Sequence, residues 1–258
     1  MPLTPLSQAL AANRLQLVQL VATDMDGTLT VAGKFTSILL QALERLNQAE
    51  IPVLIVTGRS AGWVSAVVNY LPVWGAIAEN GGVVFTGRPE STTLLAPIRD
   101  IPQHRRQLAA VFQRLQSKFP QIQETADNAF RLTDWTFDIQ GLSQDEIQHM
   151  GNLCQEWGWG FTYSTVQCHI KLAHQEKAIG LQQVLYQSFP AIAPAQVLTV
   201  GDSPNDVSLF DCSQFPLSVG VANVMDYSTQ LIHQPAYITT NPEGEGFWEL
   251  TQALLASD

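Results

Sequence analysis

Four short polar islands carry the residues that could do chemistry. In "VATDMDGTLT" (21–30), Asp24 and Asp26 stand one residue apart at the end of an apolar run, with Gly27 directly after them. Residues two apart on a strand share a face, so both carboxylates can point one way while Met25 points into the core. Crowded carboxylates are unfavourable unless they are paired, hydrogen-bonded or bound to a cation. Two readings are therefore open, a solvated Asp-Gly turn or a cation site. In "VTGRS" (56–60), Thr57 offers a hydroxyl, Gly58 lets backbone N–H groups approach a ligand, and Arg59 offers a fork of donors. Such a turn feeding a helix is a natural anion site, although most turns of this kind are only turns. In "GDSPND" (201–206), helix-start chemistry accounts for Ser203, Pro204 and Asp206 and leaves Asp202 unexplained, so Asp202 with Asp206 reads as a cation-binding pair. Lys177 opens a helix where the dipole disfavours a cation, which fits either a surface position or a site charge.

Taken together, Asp24, Asp26, Asp202 and Asp206 face Lys177 and Arg59. Four carboxylates and a phosphate in one cleft would repel strongly without a divalent cation. Mg²⁺ suits an all-oxygen ligand set.

The elements that must position these islands alternate. Residues 15–23 and 51–57 read as strands, and 37–50 and about 61–70 as helices. A strand at 74–79 turns through "NGG" into "VVF" (83–85). After residue 173 come a helix (about 175–189), a strand (195–201), a helix from Pro204 and a closing helix (246–256). Strands alternating with helices predict an α/β fold with a doubly wound, Rossmann-like parallel sheet. Ligands in such sheets bind beyond the carboxyl ends of the strands, where every island lies. The pattern breaks at 86–100. A helix (about 104–118), a strand-like run (129–140), a helix capped by Ser143 with Glu146, and two short strands (159–164, 166–172) then follow. This predicts an inserted α+β domain at 89–172 within a core of 1–88 and 173–258.

The 258 residues can bury a sizeable core, and a composition 46% hydrophobic and 14% charged excludes a disordered chain. A net charge of −10 argues against nucleic acid or an anionic membrane as partner. Cys154, Cys168 and Cys212 are too widely spaced for a zinc site or a disulfide framework and are expected to be small buried thiols. The N-terminal segment lacks a basic n-region and reads as a short helix leading into a strand, no run reaches the ~18 apolar residues of a span, and a cytoplasmic location is expected.

In this order, "DMDGT", the Thr57 turn, Lys177 and "GDSPND" resemble the four motifs of the haloacid dehalogenase superfamily of phosphatases. The insertion, with "ENGG" (79–82), resembles the α/β cap of the Cof-type subclass that includes sucrose-phosphate and mannosyl-3-phosphoglycerate phosphatases. The resemblance implies that Asp24 is a nucleophile giving an aspartyl-phosphate. It implies that Asp26 is the acid and then the base, which needs its carboxyl protonated for the first step. Thr57 and Lys177 would hold phosphoryl oxygens. Mg²⁺ would be bound by Asp24, the Asp26 backbone carbonyl, Asp202 and Asp206. One departure stands out: Ala178 follows the lysine where the family pattern has glycine.

Substrate choice would lie with the cap and its facing loops. Alternation sets His169 and Lys171 on one face of "VQCHIKL", where they reach either a sugar or carboxylate, or only solvent. Gly58, Arg59, Asn80, Gly81, His169 and Lys171 are the candidate substrate-binding residues, with Glu79 considered beside them. Trp157 and Trp159 read as packing residues more than as sugar platforms, and His104, His149, His174 and His233 as surface residues. The expected activity is Mg²⁺-dependent hydrolysis of a small phosphomonoester, a sugar phosphate above all, by a monomer or homodimer. A sugar phosphomutase and a non-catalytic phospho-metabolite binding protein are the alternatives.

Overall fold

A computed structural model describes residues 4–87 and 90–256. Nine strands form the larger sheet in the order β1-β12-β11-β10-β2-β3-β4-β5-β6. They are β1 (Thr4–Pro5), β2 (Leu20–Thr23), β3 (Val53–Val56), β4 (Gly75–Ala78), β5 (Val83–Gly87), β6 (Glu90–Leu94), β10 (Val197–Gly201), β11 (Ser218–Gly220) and β12 (Tyr237–Ile238). Pairing is parallel from β1 through β4 and antiparallel for β4-β5 and β5-β6.

The central strands are buried on both faces, which is why they read as unbroken apolar runs. Val21, Ile55, Ala76, Leu198 and Val200 pack with α2 (Ser37–Gln48), α3 (Ala61–Tyr70) and α7 (Glu243–Leu255), while the short helix α1 (Leu6–Ala11) adds Leu6 and Ala9. Leu20, Ala22, Leu54, Val56 and Ile77 point the other way, onto α6 (Lys177–Ser188). Chain order reverses around β2, whose neighbours are β3 and β10, so a crevice opens at its carboxyl end.

The second sheet is antiparallel, β7-β9-β8, built from β7 (Trp135–Asp138), β8 (Trp159–Tyr163) and β9 (Gln167–Leu172). One face carries Phe137, Cys168 and Ile170 into a separate apolar cluster with α4 (Ile101–Gln116) and α5 (Gln144–Glu156). The other face, with His169 and Lys171, looks toward the larger sheet. Ser143 and Glu146 form the reciprocal cap expected at the start of α5.

Several expectations need correcting. Residues 15–17 form a 3₁₀ turn, and the strand begins only at Leu20. The run at 129–140 is a 3₁₀ turn (126–130) and a bend before the four-residue β7. The helix from Pro204 is a 3₁₀ helix, Pro204–Phe210. Residues 90–94 belong to the larger sheet, and Leu95 packs in its core, so the excursion into the second sheet starts after them, later than residue 89. His104 is buried, its Nε2 bonded to the Thr133 carbonyl, because α4 lays it against the bend at 131–134. Cys212 is exposed, in a turn after the 3₁₀ helix, while Cys154 and Cys168 are buried. No helix among the described residues is long and apolar enough to cross a membrane.

Candidate active site

Four adjacent strands, β10, β2, β3 and β4, end in Gly201, Thr23, Val56 and Ala78. The next residues, Asp202, Asp24, Thr57 and Glu79, therefore lie side by side along one sheet edge, with Asn80 just beyond. The ladder continues into the site: the Asp24 N–H donates to the Val200 carbonyl at 2.9 Å, and the Thr57 N–H to the Ile77 carbonyl at 2.8 Å.

Asp24, Asp202 and Asp206 each offer a carboxylate oxygen within 4.8 Å of the others, and all three are buried. Lys177 donates to Asp24 at 2.7 Å and to Asp206 at 2.6 Å. The second oxygen of Asp206 accepts from the backbone N–H groups of Asp202 and Ser203, at 3.0 and 3.1 Å. Asp202 accepts from the Thr28 hydroxyl at 2.8 Å and from Asn223 Nδ2 at 3.0 Å. Gly27, at φ +76°, must be glycine, because a Cβ there would stand 2.4 Å from an Asp202 oxygen.

One lysine does not balance three buried carboxylates. Burial, then the charge of Asp206, raises Asp24 to about 7, and burial with the charges of Asp24 and Asp206 raises Asp202 well above its ordinary value. Burial works to lower Lys177, but Asp206 and Asp24 outweigh it and hold the ammonium above its ordinary value. An all-oxygen cluster with surplus negative charge is a fitting cradle for a hard divalent cation.

Asp26 is half-buried and engaged differently. Both of its oxygens accept from Arg59, Nε at 2.8 Å and Nη2 at 2.6 Å. The bond to Asp26 in turn raises Arg59. A fork of this kind suits an ionised carboxylate. For Asp26 to reach a leaving group, Arg59 must release this fork.

The opposite wall comes from the second sheet. His169 Nδ1 bonds Asp134 at 2.9 Å, and Arg131 holds both oxygens of Asp134, together with Asp127, Gln167 and the Gly58 carbonyl. Burial works to raise Asp134, but Arg131 and His169 outweigh it and keep the carboxyl below its ordinary value. Burial lowers His169 below its ordinary value, although the bond to Asp134 works the other way. A Cβ on Gly58 would meet the His169 ring at 3.1 Å and Asn80 Nδ2 at 3.3 Å, so this glycine sets how closely the two sheets approach. Between the walls runs a slot of about 10 Å³ lined by Asp24, Asp26, Thr57, Arg59 and His169, room for about one water. Next to it, sharing Asn205, is a chamber of about 100 Å³ bordered by Asn80, Lys171 and Lys177.

Of the candidates, Asp24, Asp26, Thr57, Gly58, Arg59, Asn80, His169, Lys171 and Lys177 line this cleft. Asp202 and Asp206 sit beneath it. Gly81 lies apart: at φ +98° it packs on the Glu176 carbonyl, where a Cβ would come within 2.2 Å, so it seats α6 and does not reach a ligand. Glu79 is a clamp. It accepts from the N–H groups of Ala61, Leu132 and Thr133 and from the Thr133 hydroxyl, fastening the second sheet's bend to the core. Arg131, Asp134 and Asn223 were not anticipated. The first two carried a signal, opposite charges three apart inside an apolar run, whereas Asn223 carried none.

Comparisons with known proteins agree with this geometry. A family model described as haloacid dehalogenase-like hydrolase matches residues 21–96, from the Asp24 strand through the Asn80 turn. Over that stretch the chain is similar to the haloacid dehalogenase-like hydrolases. A "Phosphoglycolate phosphatase" of Methanothrix thermoacetophila is 27% identical over 93% of this chain and 99% of its own length. "Phosphoglycolate phosphatase 1" of Saccharolobus solfataricus is 28% identical over 94% and 98%. Among solved structures, the sucrose-phosphatase of Synechocystis superposes with a TM-score of 0.67 at 17% identity, covering 92% of this chain and 98% of that one; this likeness concerns the fold alone.

Proposed function

We propose that this protein is a phosphatase that hydrolyses a small phosphorylated metabolite through an aspartyl-phosphate on Asp24, with Mg²⁺ as its cofactor. The carrying observation is the convergence of Asp24, Asp202 and Asp206 around one lysine at adjoining strand ends. Asp24 attacks phosphorus, and the ester oxygen leaves with its bonding pair. Asp26 donates the proton that oxygen needs, and later takes one from the water that cleaves the aspartyl-phosphate. Lys177 and Thr57 hold phosphoryl oxygens and spread the developing charge. Asp24, Asp202 and Asp206 would hold Mg²⁺, which supplies Lewis-acid stabilisation of phosphoryl charge.

The three-stranded unit then acts as a cap that chooses the substrate. The sequence points to sugar phosphates, while the relatives named phosphoglycolate phosphatases point to a smaller ester. Both classes belong in the test: phosphate release from a panel of sugar phosphates, phosphoglycolate and an aryl phosphate, with Mg²⁺ or with chelator, for the wild type and Asp24→Asn. Release that needs Mg²⁺ and vanishes in Asp24→Asn is the expected result. Release that survives the substitution would overturn the nucleophile assignment, and isomerised sugar phosphate in place of free phosphate would favour a mutase.

A further inference from the structure

Two buried lysines border the chamber, and of these only Lys177 has a carboxylate partner among the described residues. Lys171 is 4% exposed, and its ammonium donates to the Gln175 carbonyl at 2.6 Å. An ammonium has three donors, and among the described residues no carboxylate lies within ion-pair distance of this one. Burying an unpaired charge is costly, and it lowers Lys171 below its ordinary value. Glu176, the acid on the chamber wall, is exposed and stands beyond ion-pair reach.

A second polar residue borders the same chamber. Asn80 is 1% exposed and its Nδ2 has no partner among the described residues, while its Oδ1 accepts from Asn205 Nδ2 at 3.2 Å. Asn205 Oδ1 in turn accepts from the Ser203 hydroxyl at 2.8 Å. Buried donors are almost always satisfied, so this one is a gap awaiting an acceptor.

We infer that the chamber between Lys171 and Asn80 binds a carboxylate on the substrate, so that the preferred ester is the phosphate of a two- or three-carbon hydroxy acid. The chamber, about 100 Å³, is about ten times the volume of the slot and has room for a carboxylate beside a bound phosphoryl group. One unpaired positive charge matches one carboxylate. The chamber adjoins the phosphoryl slot at Asn205 and borders Lys177, so a single short molecule spans both. His169 takes no part in this charge recognition, since its Nδ1 is committed to Asp134.

This inference rests on the phosphatase reading above, and the test separates the two. Steady-state rates are measured with Mg²⁺ on phosphoglycolate, on 2-hydroxyethyl phosphate, which lacks the carboxylate, and on an aryl phosphate. Wild type is expected to prefer phosphoglycolate by about 30-fold or more in kcat/KM. Lys171→Met should erase that preference through a raised KM for phosphoglycolate, and Lys171→Arg should restore part of it. Unchanged melting temperatures and far-UV circular dichroism show that the variants fold. Equal wild-type rates on the two small esters, or a preference that survives Lys171→Met, would overturn the carboxylate site alone. Absence of release from every compound would overturn the phosphatase mechanism and this site with it.

Discussion

Lys177 at the core end of the cleft and Lys171 at the cap end are both almost fully buried, and they differ in what surrounds them. Lys177 already has two carboxylates at 2.6–2.7 Å and is held charged. Lys171 has a carbonyl and an empty chamber, and burial pushes it toward neutrality. A buried cation saturated by its own chain organises a site. One left unsaturated recognises something from outside.

The largest expected break in that contrast is Lys177→Met. Removing the cation from Asp24 and Asp206 should lower kcat by about 10²–10³-fold and cost about 3–5 kcal/mol in urea unfolding. A Lys177→Met enzyme with near wild-type turnover would make the two lysines equivalent and end the comparison.

Gly27→Ala comes next. The new Cβ presses on Asp202, so Mg²⁺ activation should require about 10–100-fold more metal. A titration of phosphate release against Mg²⁺ reads this directly.

A pH effect follows from the raised Asp24. Its carboxyl ionises near 3.8 when unfolded and at about 7 when folded, so between these values the folded chain binds more protons. Stability of metal-free protein should therefore fall as pH rises from about 4 to 7. Saturating Mg²⁺ should flatten that slope, as melting curves with chelator or metal would show.

The smallest expected effect is Tyr163→Phe. Tyr163 Oη donates to Gln230 at 2.7 Å across an exposed cap–core seam, and losing this bond should change KM by no more than about twofold.

Most of the core site was legible because parallel strands project whatever follows them onto one edge, so polar residues after apolar runs had to meet. Alternation in 167–172 likewise set His169 and Lys171 on the correct face. Arg131 and Asp134 were hidden by the reading of 129–140 as one strand, which lays them on a ladder; the chain bends there and buries them together. Strands β11 and β12, three and two residues long, are too short to leave a period. Asn223 acts through contacts about 20 and about 200 residues away, to Asp202 and Gly27, which no local pattern encodes.

The Glu79 clamp has a mechanical consequence. On its side, one carboxylate grips the bend through four hydrogen bonds from three donors, besides Arg131 on Gly58. The opposite side has Tyr163–Gln230 and an open groove of about 800 Å³ along Trp159, Phe161 and Ile232. Glu79 therefore works as a clasp on one flank, and through the bend it fixes the register of the sheet that carries Lys171 against the core, while the other flank is held by a single side-chain bond.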